Sequence, residues 1–159
     1  MLKGREIRGL PVFAGPNREE AGRVRDLVIS EQSGSLEALV VASGGLWQKS
    51  LLLKTADIAS ISALGVFISG KERLQNLPKE TPTLSQKGWV GRKLFSEGGL
   101  DKGTVADILL EENMVTGLEI SNGLVGDLQA GRNFLSWQSV HLRQESFVEE
   151  NSPFSRDLS

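Results

Sequence analysis

Apolar residues occur along the chain in short runs, and polar or turn-forming residues separate these runs at intervals of roughly ten positions. The runs at residues 36–41 and 51–53 are rich in Leu and Val, which is typical of buried strands. Residues that tolerate tight chain reversal lie between the runs, at Gly15-Pro16-Asn17, Ser33-Gly34-Ser35, Gly44-Gly45, Gly98-Gly99 and Asn122-Gly123. The pattern therefore predicts strands joined by hairpins, with short helical turns at residues 55–61 and 71–77.

The same arrangement occurs twice in the chain. Residues 22–29 align without a gap with residues 103–110, and both segments have the sequence Gly-x-Val-x-Asp followed by three apolar residues. Further matches on both sides pair residues 9–13 with 91–95, 36–41 with 115–120, and 66–67 with 147–148. Because an internal repeat defines the structural unit, the sequence predicts two domains, residues 1–70 and 88–150.

Two polar segments lie outside the repeats. Residues 71–87 contain Pro78 and Pro82 among charged and hydroxylated residues, which is typical of an interdomain linker, and residues 151–159 form a polar tail. Within each repeat, five or six short strands must hide an apolar face and unpaired edges, and closure into a small barrel achieves both. The predicted fold is therefore mostly β, with two tandem small antiparallel β-barrels and short helical turns.

The repeated Gly-x-Val-x-Asp block, together with the preceding Gly-x-x-[Val/Leu]-Phe strand, resembles the PRC-barrel family. That family includes the cytoplasmic domain of the photosynthetic reaction-centre H subunit and the carboxy-terminal domain of the ribosome maturation factor RimM. The resemblance covers residues 4–68 and 89–149, and it implies a stand-alone tandem that serves in protein contact, since the family is not known for catalysis. Function then depends on the surfaces of the domains rather than on the fold.

The residues that most catalytic and metal sites require are scarce. The sequence has no cysteine and a single histidine, His141, so it offers no thiol nucleophile, no cysteine zinc site and no catalytic triad. Asp26 and Asp107 are the acidic residues that recur in both repeats, and one interpretation pairs them as acid and base. The favoured interpretation is structural: each Asp accepts backbone N–H groups near a bulge, and Gly22 and Gly103 supply unusual backbone geometry. We expect no enzymatic activity, no cofactor and no metal.

Two sets of side chains are candidates for an interaction surface. Arg18, Arg23 and Arg25 flank one predicted turn and the strand after it, and strand alternation exposes Arg23 and Arg25 together. The alternative for these arginines is an ordinary solvated barrel face. Trp47 and Trp137 have no equivalent in the other repeat, so each is either an interface residue or a plug in the core between the barrels.

Net charge divides the two halves of the chain. Residues 1–80 carry eleven basic and nine acidic residues, a net charge of +2, whereas residues 81–159 carry seven and eleven, a net charge of −4. The first half is therefore expected to meet an anionic partner. We expect a cytoplasmic protein-interaction adaptor that is not inserted in a membrane. The alternative is a ribosome- or RNA-associated maturation factor that contacts RNA or a ribosomal protein, and the small size of the units also favours a homo-oligomer.

Overall fold

The computed structural model describes residues 1–44, 48–85, 88–122, 133–143 and 146–150. Its strands are Leu2–Lys3 (β1), Pro11–Ala14 (β2), Glu19–Ile29 (β3), Leu36–Ala42 (β4), Ser50–Lys54 (β5), Ile58–Ser62 (β6), Gly65–Ile68 (β7), Gln75–Asn76 (β8), Lys93–Ser96 (β9), Asp101–Glu111 (β10), Met114–Ser121 (β11), Asn133–Ser136 (β12), Val140–Arg143 (β13) and Ser146–Glu149 (β14). The helical elements of these ranges are one α-helical turn, Gly4–Ile7 (α1), and the 3₁₀ turns Thr55–Asp57, Lys71–Arg73 and Trp137–Ser139. None of these helices is long and apolar enough to cross a bilayer.

Two sheets repeat the same strand order. Neighbouring strands of the first sheet follow the order β6-β7-β2-β3-β4-β5-β8, and those of the second follow β13-β14-β9-β10-β11-β12, with β1 added beside β10. Each strand from β2 to β7 thus has its counterpart in the same place of the second sheet. The predicted mostly β fold with two tandem barrel-like units is confirmed.

One pairing in each unit differs from the predicted antiparallel arrangement. β2 pairs in parallel with β7, and β9 pairs in parallel with β14. The reason lies in the 3₁₀ turn Thr55–Asp57, after which β6 runs on in the direction of β5 instead of reversing. The β6–β7 hairpin then returns along the open side of β2, so β7 and β2 run in the same direction. The turn Trp137–Ser139 has the same effect in the second unit.

The two units meet through an approximate two-fold relationship between equivalent turns. The Leu36 N–H donates to the carbonyl of Asn113, and the Val115 N–H donates to the carbonyl of Gly34, each over 2.8 Å. Leu36 and Val115 occupy equivalent places in the two repeats, and so do Gly34 and Asn113. Each unit therefore gives the other the same hydrogen bond.

A hydrophobic core extends through both units and includes Leu27 of the first sheet and Ile108 of the second. Each sheet also binds the segment that leads into the other unit: β1 pairs with β10, and the Leu84 N–H donates to the carbonyl of Leu27 over 2.7 Å. Residues 71–87, predicted as a linker, thus pack on the first sheet along part of their length, with β8 paired to β5. The units share their interior instead of meeting only at their surfaces.

Candidate interaction surface

The glycine of each repeated motif lies where two strands approach closely. Gly22 has a φ of +152° and Gly103 a φ of +120°, a region that side chains other than glycine rarely adopt. A Cβ atom at Gly22 would overlap the carbonyl oxygen of Ala42, and one at Gly103 would overlap that of Ser121. Both positions therefore combine a positive φ with a close approach of the neighbouring strand, and a side chain would be strained at either.

Asp26 lies directly after an irregularity in the pairing of β3 with β4, and its side chain is 6% exposed. Its Oδ1 accepts the Leu27 N–H over 2.9 Å and the Ser85 N–H over 3.3 Å. Its Oδ2 accepts the hydroxyl of Thr83 over 2.7 Å. The carboxylate is thus satisfied by its own strand and by the segment before the second unit, as a bulge-stabilising residue would be.

Asp107 holds the equivalent place in β10 and is 1% exposed. Its Oδ1 accepts the Ile108 N–H over 2.8 Å, and its Oδ2 accepts the Arg5 N–H over 3.1 Å. Both aspartates thus accept the N–H of the residue that follows them in the chain. Each carboxylate is buried and committed to these bonds, an arrangement that suits a structural group rather than an acid–base pair.

An ionic cluster at Asp107 could not be located from the sequence. The Arg5 guanidinium lies 2.8 Å from a carboxylate oxygen of Glu119, and the Lys3 ammonium lies 3.8 Å from the same residue. Glu119 is buried, and its equivalent in the first unit is Val40. One indication of this cluster is visible in the sequence: an acidic residue, Glu119, stands where the other repeat has valine. Lys3 and Arg5 are therefore paired with buried carboxylates, although both side chains reach solvent, and they add less to an external basic surface than unpaired cations would.

Arg23 and Arg25 point outward from β3 on either side of the buried Val24. Arg25 donates to the Ser50 hydroxyl over 2.7 Å and to the Gln48 side-chain carbonyl over 3.2 Å. Arg23 donates to the Gly9 carbonyl over 3.0 Å. The two guanidinium groups are thus exposed on one face, as strand alternation predicts, and each donates to at least one neutral acceptor.

Arg18 lies just before the start of the same strand. It precedes the first residue of β3, so about 17 Å of extended chain separates it from Arg23, and its guanidinium lies over the ring of Phe67, 5.1 Å from the ring centre. In the part of the chain that the structure describes, no carboxylate pairs with Arg18 or Arg25, whereas Arg23 lies 3.4 Å from Glu20. We call Arg18, Arg23 and Arg25 together the arginine surface. It keeps most of its positive charge.

The structure contradicts Trp137 as part of an exposed surface. Its side chain is 8% exposed and stacks on Trp89, with 4.8 Å between ring centres. Trp89 in turn contacts Phe147, with 5.4 Å between ring centres. Trp137 is buried because Gly34 of the first unit, which lacks a side chain, leaves room for the indole. Trp137 therefore seals the junction between the units, and Trp47 lies outside the described residues.

The described residues hold no group of three or more His, Asp or Glu side chains that could bind a metal ion. His141 contacts Glu150, whose carboxylate lies 2.8 Å from its Nδ1.

A comparison with known protein families finds a match in the first unit. Residues 1–68 match the family model of the PRC-barrel domain. The match runs from the start of the chain through β7 and includes Gly22, Asp26 and the arginine surface. No curated protein matches the chain. The PRC-barrel resemblance inferred from the sequence is therefore supported for the first unit.

Proposed function

We propose that this chain is a non-enzymatic adaptor built from two PRC-barrel units, and that the arginine surface of the first unit binds an acidic segment of a protein partner. The single observation that carries the proposal is the pair Arg23 and Arg25, which are exposed side by side: Arg25 is bonded to neutral groups, and Arg23 is bonded to the Gly9 carbonyl and lies 3.4 Å from the exposed Glu20. We also propose a cytoplasmic location, which suits a chain without cysteine.

The second unit is proposed to be a PRC-barrel as well. It has the same strand order as the matched unit, the same parallel pairing of its first and last strands, and an aspartate after an equivalent bulge. Its surface differs, since Thr104 and Ala106 stand where the first unit has Arg23 and Arg25. The two units would then share a scaffold and differ in what they bind.

The arrangement of Arg25 favours a carboxylate ligand. A guanidinium group can bind a carboxylate through two parallel N–H donors, and groups already held in place lose less conformational freedom on binding. Ser50 and Gln48 hold Arg25 without neutralising it. A partner with neighbouring Asp or Glu residues would replace these neutral contacts by charged ones.

The test is affinity capture of partners by the tagged full chain from its native host, with half of each lysate treated with RNase. The charge-reversal variant Arg23→Glu/Arg25→Glu is compared with Lys54→Glu/Arg143→Glu, which changes the net charge equally at other exposed positions. The proposal predicts a stoichiometric protein that survives RNase treatment, is lost with the first variant and is kept with the second. Ribosomal proteins that disappear on RNase treatment would instead establish the RNA-associated alternative. Equal capture by all three chains would contradict the arginine surface.

A further inference from the structure

A groove of about 530 Å³ opens where the first unit meets the second, away from the arginine surface. Its walls come from the chain start, from β4 and β6, and from the β10–β11 turn, and they include Leu2, Ile7, Leu36, Ile58, Leu110 and Asn113. The volume lies within the range of small-ligand pockets, about 300–1,000 Å³.

The two-fold relationship between the units gives this groove a counterpart on the other side of the junction. Ile7 corresponds to Trp89, because the first accepts a backbone hydrogen bond from Leu10 and the second accepts the equivalent bond from Arg92. Thr55 and Trp137 correspond likewise, since each is the first residue of its 3₁₀ turn.

The protein itself occupies much of the counterpart. The stacked rings of Trp89 and Trp137 lie there, Gly34 stands where the groove has Asn113, and a smaller pocket of about 350 Å³ remains beside Trp89. Val140 is fully buried, whereas its equivalent in the groove, Ile58, is only partly buried. The groove is therefore equivalent to the site of the Trp89 and Trp137 side chains, but no described residue places an indole ring in it.

Charge at the rim adds a second requirement for a ligand. Glu111 and Glu112 are exposed at one wall of the groove, and no basic side chain in the described ranges pairs with either. A ligand that placed a cation beside its aromatic ring would complement these carboxylates, which makes a basic residue next to a tryptophan the best match.

We infer that this groove binds a tryptophan side chain of a partner polypeptide, flanked by lysine or arginine. The indole would occupy the space that Trp89 and Trp137 fill on the opposite side, and the flanking cation would pair with Glu111 and Glu112. Burial of a large aromatic anchor is the usual source of affinity in such contacts. The site is separate from the arginine surface, so its existence does not depend on the function proposed above.

The experiment is a titration of the ¹⁵N-labelled full chain with the blocked peptide Lys-Trp-Lys, followed by chemical-shift mapping. Saturable shifts at the amides of the groove residues around Ile58, Ser60 and Asn113 are expected. The peptide Lys-Ala-Lys serves as the control and should cause no saturable shifts. Tryptamine is titrated separately, and an affinity equal to that of the peptide would assign the site to a small aromatic amine and overturn the polypeptide assignment.

Two variants test the geometry. Thr55→Trp/Asn113→Gly gives the groove the tryptophan and glycine that Trp137 and Gly34 provide on the opposite side. The added indole should block the site and weaken peptide binding by about tenfold or more, because aromatic anchors dominate such contacts. Glu111→Gln/Glu112→Gln leaves the groove open and should weaken binding several-fold at low salt. Leu64→Ala, at an exposed site in the β6–β7 turn, should bind as the unaltered chain does. Shifts that map outside the groove, or unchanged affinity in the rim variant, would overturn the inference even if the filled variant failed to fold.

Discussion

Asp26 and Asp107 lie after the same bulge in the two sheets, and each carboxylate binds the chain segment that leads into the other unit. Asp26 accepts hydrogen bonds from Thr83 and Ser85, which precede β9. Asp107 accepts one from Arg5, which precedes β2. The repeated motif therefore does more than shape its own strand, because it fastens each unit to the other.

Replacement of Asp107 by alanine should destabilise the whole chain. The change leaves the N–H groups of Ile108 and Arg5 without their acceptor and removes one carboxylate from the cluster with Glu119. We expect a loss of about 2–4 kcal/mol in the free energy of unfolding, measured by urea denaturation. Glu37→Ala, at an exposed position of β4, should stay within about 0.5 kcal/mol. A similar small effect for Asp107→Ala would show that its buried bonds add nothing to stability.

A fragment that ends at residue 70 should melt below the full chain. It lacks Thr83 and Ser85, which bind Asp26, and it lacks β10, which pairs with β1. A unit of this size also buries only about 60% of its unfolded surface and has little stability to spare. Differential scanning calorimetry of both chains measures the difference. Equal melting temperatures would show that the units are independent.

Gly34→Ala should lower the free energy of unfolding by more than Gly99→Ala. Both glycines have a positive φ, but only Gly34 has a side chain packed against it. Gly34 has a φ of +72°, and a Cβ atom there would lie 2.8 Å from the Nε1 atom of Trp137. Gly99 has a φ of +86° with no atom within 4 Å of such a Cβ, so Gly99→Ala isolates the strain. We expect about 1–2 kcal/mol for Gly99→Ala and about 1–3 kcal/mol more for Gly34→Ala, measured by chemical denaturation. Equal losses of unfolding free energy in the two variants would show that the Trp137 side chain moves aside at little cost.

The pKa of Asp101 should lie below its usual value, first because the Gly103 N–H donates to its carboxylate and second because Lys93 lies 3.2 Å away. A lowered pKa means that the stabilising contribution of Asp101 is present above the unfolded-state pKa and is lost as pH falls through the folded-state value. An NMR titration of the side-chain carboxyl measures it. Lys93→Met should raise the pKa only in part, since the backbone donor remains. A normal pKa in the unaltered chain would contradict this geometry.

Local sequence patterns were sufficient to predict the repeated strands. Gly22 and Gly103 stand where backbone geometry demands glycine, and the alternation around Val24 correctly placed Arg23 and Arg25 on one exposed face. These features depend on neighbours within a few residues of the chain, so they can be predicted from local sequence.

Contacts between the units could not be predicted from local sequence patterns. Arg5 binds Asp107 across 102 positions of the chain, and nothing in the sequence near Arg5 indicates that it pairs with buried carboxylates of the second unit. The burial of Trp137 depends on Gly34, a residue of the other unit. The parallel pairing of β2 with β7 depends on a 3₁₀ turn that leaves the chain direction unchanged. Each of these features becomes visible only when distant segments are brought together.

The most direct test of the proposed function is a titration of the ¹⁵N-labelled full chain with a peptide rich in Asp and Glu at low ionic strength. If the arginine surface binds such segments, saturable shifts are expected at the amides of Arg23, Arg25 and Ser50, and added salt should weaken binding because the charges are exposed. These shifts should vanish in Arg23→Glu/Arg25→Glu and persist in Lys54→Glu/Arg143→Glu. Shifts centred elsewhere, or shifts that survive the charge reversal, would contradict the claim that the arginine surface binds an acidic protein segment.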